Sequence, residues 1–402
     1  MKDIQQENSY ILWLPSWYPN KISPYDGDFI QRHARAVSAF IQIHVVYFVR
    51  DTKGVVTSSI SIDKKITGNL TETIVYYHVK RPVFKFTDRI ISLRIFSKLY
   101  RTTINELLEK SGKPQLVHVH VAFKAGIIAR WIKRKFGIPY LLTEHWTVYL
   151  DEAVPNLKDL PFVRRYVISK VLKEALLALP VSDYLGKCLQ KKFPSISYKV
   201  LPNVVDTEIF HPGKKASDPL KFIHVSAMDH QKDPEKLFSA IGLLKKRKIK
   251  FCLDVFGPVN DHIKTLIKKE MIEEEVFLHG EVPQNELANY MRNSDALILY
   301  SRYETFGCVI IEANASGIPV IASDMPVMHE LISEDNGVLI KPNDVKALSH
   351  GLEDFISSKN KFDSETQRLI FQDFHFNMLL PACLCKCICA HYKLCIGKSA
   401  SR

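Results

Sequence analysis

Nowhere in its 402 residues does the chain hold an apolar run near the roughly 18 residues that span a bilayer, which excludes a membrane-crossing helix. The opening MKDIQQENSYILWLP sets Asp3 and Glu7 ahead of a short apolar stretch, a strand pattern and not a secretory leader, so a cytoplasmic location is expected. Cysteine is sparse until a C-terminal cluster of Cys383, Cys385, Cys387, Cys389 and Cys395; before it come only Cys188, Cys252 and Cys308. The CxCxCxC alternation lacks the two-residue gaps of zinc knuckles or ribbons, so no metal is expected, and a cytoplasmic chain keeps these thiols reduced. No internal repeat is present, which leaves out solenoids and propellers. Hydrophobic residues at 46% and charged residues at 24% leave out disordered and fibrous classes.

Acidic residues are in deficit. Asp and Glu number 43 against 55 Lys and Arg, a net charge of +12 that attracts an anionic partner such as nucleic acid, acidic lipid or a diphosphate. The excess concentrates in Lys80 to Arg101 (KRPVFKFTDRIISLRIFSKLYR), with seven Lys or Arg against the single Asp88. Apolar residues from Phe84 to Leu99 interleave with those bases. The pattern fits a helix on an anionic membrane surface, and equally a helix packed on its own domain with a solvated basic face. Attachment to the inner face of the membrane is thus left open. The stretch carries no nucleic-acid reading motif, so nucleic acid is not an expected partner.

A chain of this length exceeds one typical core and predicts two domains. Strand and helix patterns alternate through the first half: strands at Tyr10–Leu14, Ile43–Phe48, Thr73–Val79, Leu116–Val119 and Tyr140–Thr143, with helices at Gly27–Phe40 and Gly126–Phe136. A long helix over Pro161–Leu179, a strand ending at Ser182 and a last strand at Lys199–Leu201 complete the set. Leu201–Pro212 has two prolines and little periodicity and reads as the interdomain linker. A second set begins at Lys221–Ser226 and continues with a helix from Pro234, strands at Phe251–Phe256 and Val276–Leu278, and a helix at Asn285–Arg292. Such alternation predicts doubly wound α/β sheets, which bind ligands at the carboxyl ends of their strands. The expected domains are 1–203 and 204–375, followed by an atypical Cys-rich tail, 376–402.

Leu299 to Ser323 reads LYSRYETFGCVIIEANASGIPVIAS. The apolar run Asp295–Tyr300 predicts a buried strand, Gly307–Ser316 a helix stopped by Gly317 and Pro319, and Val320–Ala322 a further strand. The helix start aims the amides of Gly307, Cys308 and Val309 outward, where dipole and unpaired donors suit a phosphate. Glu304 before that helix and Glu312 two turns inside it stand ready to accept from hydroxyls on either side of the phosphates. A nucleotide sugar is the expected ligand.

With Phe306-Gly307 between the two glutamates, this segment resembles the signature of family 4 of the retaining glycosyltransferases, and similarity continues over about residues 9 to 373. The resemblance implies the GT-B architecture, two Rossmann-like domains facing across a cleft. It also implies a nucleoside diphosphate-sugar donor, a lipid-linked or saccharide acceptor, no cofactor, and a role in cell-surface polysaccharide synthesis. By the same resemblance Glu304 grips the donor sugar and Glu312 the ribose, and Lys232 in HVSAMDHQKDPEKLFSAI neutralises the departing diphosphate. His145 in LLTEHWTVYL stands beside the reacting carbon, with catalytic roles falling to His145, Lys232 and Glu304. Gly27, in a loop that carries Asp26-Gly27-Asp28 where relatives often have two adjacent glycines, lies near the diphosphate. Gly257 and Val282 follow strands where main-chain atoms meet the base, and Phe306, Gly307, Cys308 and Val309 complete the donor site. The arginine often found five positions before the lysine is Ala227 here. Two alternatives stand beside a transferase: a nucleotide-sugar epimerase, and an inactive nucleotide-sugar-binding protein.

Overall fold

The computed structural model describes residues 10–56, 58–78, 85–213, 219–358 and Phe362, the side chains of 85–90 and 93 excepted. The first half opens with β1 (Tyr10–Pro15), α1 (Asp28–Ser38), β2 (Gln42–Arg50), β3 (Ile60–Thr67), β4 (Leu70–Tyr77), α2 (Lys85–Ser111) and β5 (Leu116–His120). It closes with α3 (Ala125–Phe136), β6 (Tyr140–Glu144), α4 (Phe162–Glu174), β7 (Leu177–Pro180) and α5 (Asp183–Lys192). Its seven strands lie in the order β3-β4-β2-β1-β5-β6-β7, parallel except for β3, which pairs antiparallel with β4 at the edge. The second half runs β8 (Leu220–Val225), α6 (Pro234–Lys246), β9 (Phe251–Phe256), α7 (Asp261–Glu270), β10 (Val276–Gly280), α8 (Gln284–Arg292) and β11 (Ala296–Leu299). It ends with α9 (Cys308–Ala315), β12 (Val320–Ser323), β13 (Gly337–Ile340) and α10 (Val345–Ser358). Its six strands are all parallel, in the order β10-β9-β8-β11-β12-β13. Two doubly wound sheets, as expected from the alternation, face each other.

Strands buried on both faces by helices are apolar along their length, as in YILWLP of β1 and ALIL of β11. Each fully buried Leu or Ile there contributes about 1.5–3 kcal/mol. One core cluster continues across the floor between the domains, joining Val148, Tyr149 and Leu185 of the first to Tyr303, Phe306 and Met328 of the second. Hydrogen bonds reinforce that contact: Ser182 Oγ donates to Thr305 O at 2.7 Å, and Tyr303 OH to Val154 O at 3.2 Å.

Three local expectations change. The helix expected over Pro161–Leu179 ends at Glu174, because Leu176 N turns to the sheet and donates to Tyr140 O at 2.8 Å. Lys199–Leu201 forms no strand of the sheet; an isolated bridge joins Tyr198 to Ala178. Strand β3 was not expected at all, since Ile60 and Ile62 are 47% and 58% exposed and present no buried face. Of the basic stretch Lys80–Arg101, residues 80–84 lie outside the described residues, and the remainder is the start of α2. Ile95, Phe96 and Leu99 of that helix pack on the core of their own domain. The Cys-rich tail also lies outside the described residues. Among those described, no helix is long and apolar enough to cross a membrane.

Candidate active site

Both domains line a cavity of about 440 Å³ at the carboxyl ends of β8, β9, β10 and β11 and the N-terminus of α9. Expected site residues His145, Lys232, Gly257, Val282, Glu304, Phe306, Gly307, Cys308, Val309 and Glu312 all line it. Gly27 is not among the lining residues. It caps α1 at φ 66°, and a Cβ there would meet the Trp17 carbonyl at 2.5 Å, so only glycine lets the loop pass so close. The helix it starts delivers Asp28, Phe29 and Arg32 to the cavity wall.

The second domain supplies the charged centre. Asp229 caps the short turn His230–Lys232 by accepting from Lys232 N, and the Lys232 ammonium pairs with Glu304 Oε1. Glu304 also accepts from Ser301 Oγ at 2.9 Å and Gln231 Nε2 at 3.2 Å, so its position is held from three directions. Thr305, next in the chain, donates through Oγ1 to His145 O at 3.1 Å and ties the two domains beside the carboxylate. Gly307 adopts φ 93° and starts α9, and the first amides of such a helix have no partner within it. Burial pushes the Cys308 thiol up to about 12, which keeps it protonated and neutral at that helix start. Gly257 has φ 136° and passes Ser226 O so closely that a Cβ would lie 1.9 Å from it. That close approach bares main chain along the wall where Gly280, Glu281 and Val282 follow.

Glu312 was expected at the site, and Arg32 was not. Arg32 Nη1 donates to Glu312 Oε1 at 2.5 Å across the cleft, with side-chain exposures of 6% and 3%. No sequence signal marks Arg32, a polar residue inside the helical pattern DFIQRHARAV. Ala227, where relatives often carry an arginine, also lines the cavity, so its cationic wall consists of Arg32 and Lys232 among the described lining residues.

His145 is buried at the end of β6, with Nε2 3.3 Å from His120 Nδ1 and its ring 4.7 Å from that of Phe29. Burial, then repulsion from His33 and His118, holds it well below the ordinary histidine range, so the imidazole is neutral. Its Nδ1 is buried with no protein partner. His120 does not line the cavity; it stands behind His145. Glu144 is turned away as well, accepting from Ala122 N at 2.7 Å and Tyr149 OH at 2.9 Å, and burial raises its carboxyl to about 7. Among the described residues no group of three or more His, Cys, Asp or Glu is arranged to hold a metal ion.

Comparison with known proteins agrees with the fold. The family described as Glycosyltransferase Family 4 matches residues 28–209, and the one described as Glycosyl transferases group 1 matches residues 205–369. The alpha-monoglucosyldiacylglycerol synthase of Streptococcus pneumoniae is 24% identical over 63% of this chain and 60% of its own length. TuaC of Bacillus subtilis, named as a glycosyltransferase of teichuronic acid biosynthesis, is 22% identical over 85% of this chain and 88% of its own. Among solved structures, sucrose-phosphate synthase from Thermosynechococcus elongatus superposes with a TM-score of 0.77 at 17% identity, covering 96% of this chain and all of its own, 100%. HepE from Anabaena, solved with UDP and glucose, gives a TM-score of 0.68 at 14% identity over 95% of this chain and 100% of its own. Its relatives thus work in polysaccharide and glycolipid synthesis, and the chain belongs to family 4 of the glycosyltransferases, with the GT-B fold.

Proposed function

We propose that this protein is a retaining glycosyltransferase that moves a hexose-type sugar from a nucleoside diphosphate-sugar to a lipid-linked or saccharide acceptor in cell-surface glycan synthesis. The observation that carries the reading is the meeting of Glu304, Glu312, Lys232 and the first turn of α9 in one cavity lined by both domains. Its volume of about 440 Å³ lies in the ordinary range for small-ligand sites. Glu304 accepts from hydroxyls of the donor sugar and Glu312 from the ribose. Phe306, Gly307, Cys308 and Val309 cradle the phosphates, and main chain at Gly257 and Val282 meets the base. Gly27 shapes the loop that brings α1 against the diphosphate.

Lys232 and the helix amides stabilise negative charge as the diphosphate leaves, so this reading assigns no metal and no cofactor. His145, neutral, donates to a sugar hydroxyl beside the reacting carbon. Glu304 is already held by Lys232, Ser301 and Gln231, a setting for a hydroxyl acceptor and not for a free nucleophile. Attack of the acceptor on the face the diphosphate leaves, within an ion pair, therefore fits retention. The likeness to a glycolipid synthase supports an acceptor at the inner membrane face, with Lys80–Arg101 as the contact.

Thermal-shift screening against UDP, GDP, ADP and their sugar conjugates tests the donor site, because only a ligand of the folded state raises the midpoint. A rise confined to one nucleotide class and absent in Glu312→Ala is the expected result. No rise with any of them overturns the reading, and donor conversion without an acceptor assigns the site to an epimerase instead.

A further inference from the structure

A connected line of side chains crosses the cleft. Gln284 Nε2 on α8 donates to Asp28 Oδ2 on α1 at 2.9 Å, and Arg32 Nη2, one turn along, donates to the same oxygen at 2.9 Å. Arg32 Nη1 then reaches Glu312 Oε1 on α9, 280 residues away in the chain. A pair so well buried is costly to desolvate and gives little net stability, so its presence at the centre of a ligand cavity calls for a reason. The guanidinium has donors to spare, and its Nε is buried with no protein partner.

We propose that Arg32 is a positioning residue of the donor site: from the opposite domain it keeps Glu312 ionised and aimed as an acceptor for the ribose hydroxyls, and only while the cleft is closed. The inference rests on the reading of Glu312 as the ribose carboxylate. Burial pushes the Glu312 carboxyl up, Arg32 pulls it back and the nearby Asp28 pushes it up again; it stands above its ordinary value even in the pair, and Arg32 is what holds it from rising further. The other titratable neighbours do not replace it. Cys308 is neutral, the Glu304 charge is matched by Lys232, and His33, beside Arg32 on α1, is held down to about 3 by burial and by Arg32 itself. A guanidinium suits the task because it stays charged at every working pH and its planar fork holds Asp28 and Glu312 together. Opening the domains would carry α1 away from α9 and leave Glu312 buried without its counter-ion, which favours the protonated acid.

The full-length protein is titrated calorimetrically with UDP-glucose, GDP-mannose and ADP-glucose, whose diphosphate diesters take up no proton in this range, from about pH 6 to about pH 8.5. Wild type, Arg32→Gln, Arg32→Lys and Asp28→Asn are compared. Wild-type affinity is expected to stay flat with pH. Arg32→Gln should bind about tenfold more weakly at the acid end and recover toward the alkaline end as Glu312 ionises unaided. Asp28→Asn keeps the guanidinium and should keep the flat profile with a loss of about threefold or less, whereas Arg32→Lys keeps the charge and the flat profile but, without the planar fork, should bind more weakly at every pH. Arg32→Gln that binds like wild type, or is weakened equally at every pH, overturns the proposal. If that variant does not fold, the other two decide, and pH-dependent binding in either overturns it. Wild type that binds none of the three nucleotides overturns the donor-site reading and this inference with it, whereas a binding wild type with an unaffected Arg32→Gln overturns this inference alone.

Discussion

Glu304, Glu312 and Lys232 were readable because the chemistry of each sits in a short local pattern: a carboxylate, a helix start and an apolar strand within one βαβ unit, or a lysine in a strand-to-helix turn. Replacing Lys232 or Glu304 by alanine should lower turnover by at least about tenfold, since on the proposed function each removes a charge positioned for the departing diphosphate or the donor sugar. Steady-state rates with the donor chosen by thermal shift, alongside far-ultraviolet circular dichroism to check the fold, measure this; normal turnover in either variant removes that residue from the mechanism. Glu304 retains Ser301 and Gln231 as donors when Lys232 is lost, which favours a folded variant. Arg32 was not readable. In sequence it is one basic residue among several on an amphipathic helix, and its partner belongs to another domain. Glu144 shows the reverse: a place at a strand end would put it toward the cleft, while its bonds to Ala122 and Tyr149 turn it into the protein.

Elements buried on both faces announced themselves as continuous apolar runs, and stops such as Gly317-Ile318-Pro319 marked their ends. Strand β3 gave no such signal because it is an exposed edge, and the start of β7 was hidden in a run that reads as helix. One element-level device was also invisible: Glu330 reaches from the second domain to accept from the first amides of α5, Asp183 N at 2.8 Å and Tyr184 N at 2.7 Å. A carboxylate on a helix N-terminus is worth about 1 kcal/mol. Glu330→Ala should therefore lower stability by about that amount and, by loosening the closed cleft, raise the donor KM more than it lowers kcat. Urea unfolding and kinetics check both, and an unchanged KM would mean that closure does not depend on this contact. Gly27→Ala should cost about 1–3 kcal/mol through the Trp17 clash and the left-handed backbone, and should weaken donor binding because α1 carries Arg32.

At the scale of the whole molecule, several histidines among the described residues are buried in the neutral form. Burial holds His33 and His118 down to about 3 and His224 to about 4 from an ordinary 6.5, and places His120 and His145 well below it. Each takes up a proton on unfolding, so the stability it permits is complete above the unfolded value near 6.5 and is lost as pH falls toward the folded values. The slope is about 1.4 kcal/mol per pH unit for each group. Glu144 acts with the other sign: raised by burial from 4.5 to about 7, it loses stability as pH rises through that window. With these five histidines and His44, also lowered, set against the raised carboxyls of Glu144, Asp26 and Glu312, the thermal midpoint should peak at about pH 7 and fall below about 6, and His118→Gln should flatten the fall. A midpoint unchanged down to about pH 5 would show that these rings do not titrate as their burial implies. By itself the sequence determined two doubly wound domains and the strand, turn and helix of the Glu304 to Glu312 segment, because helix and strand periodicity and a glycine-opened helix start are properties of neighbouring residues. Tertiary structure alone decided that Arg32 meets Glu312, that His120 stands behind His145, and that Glu330 caps α5. Ion pairs and hydrogen bonds act over a few ångströms, and only the docking of one domain on the other brings those partners within that reach.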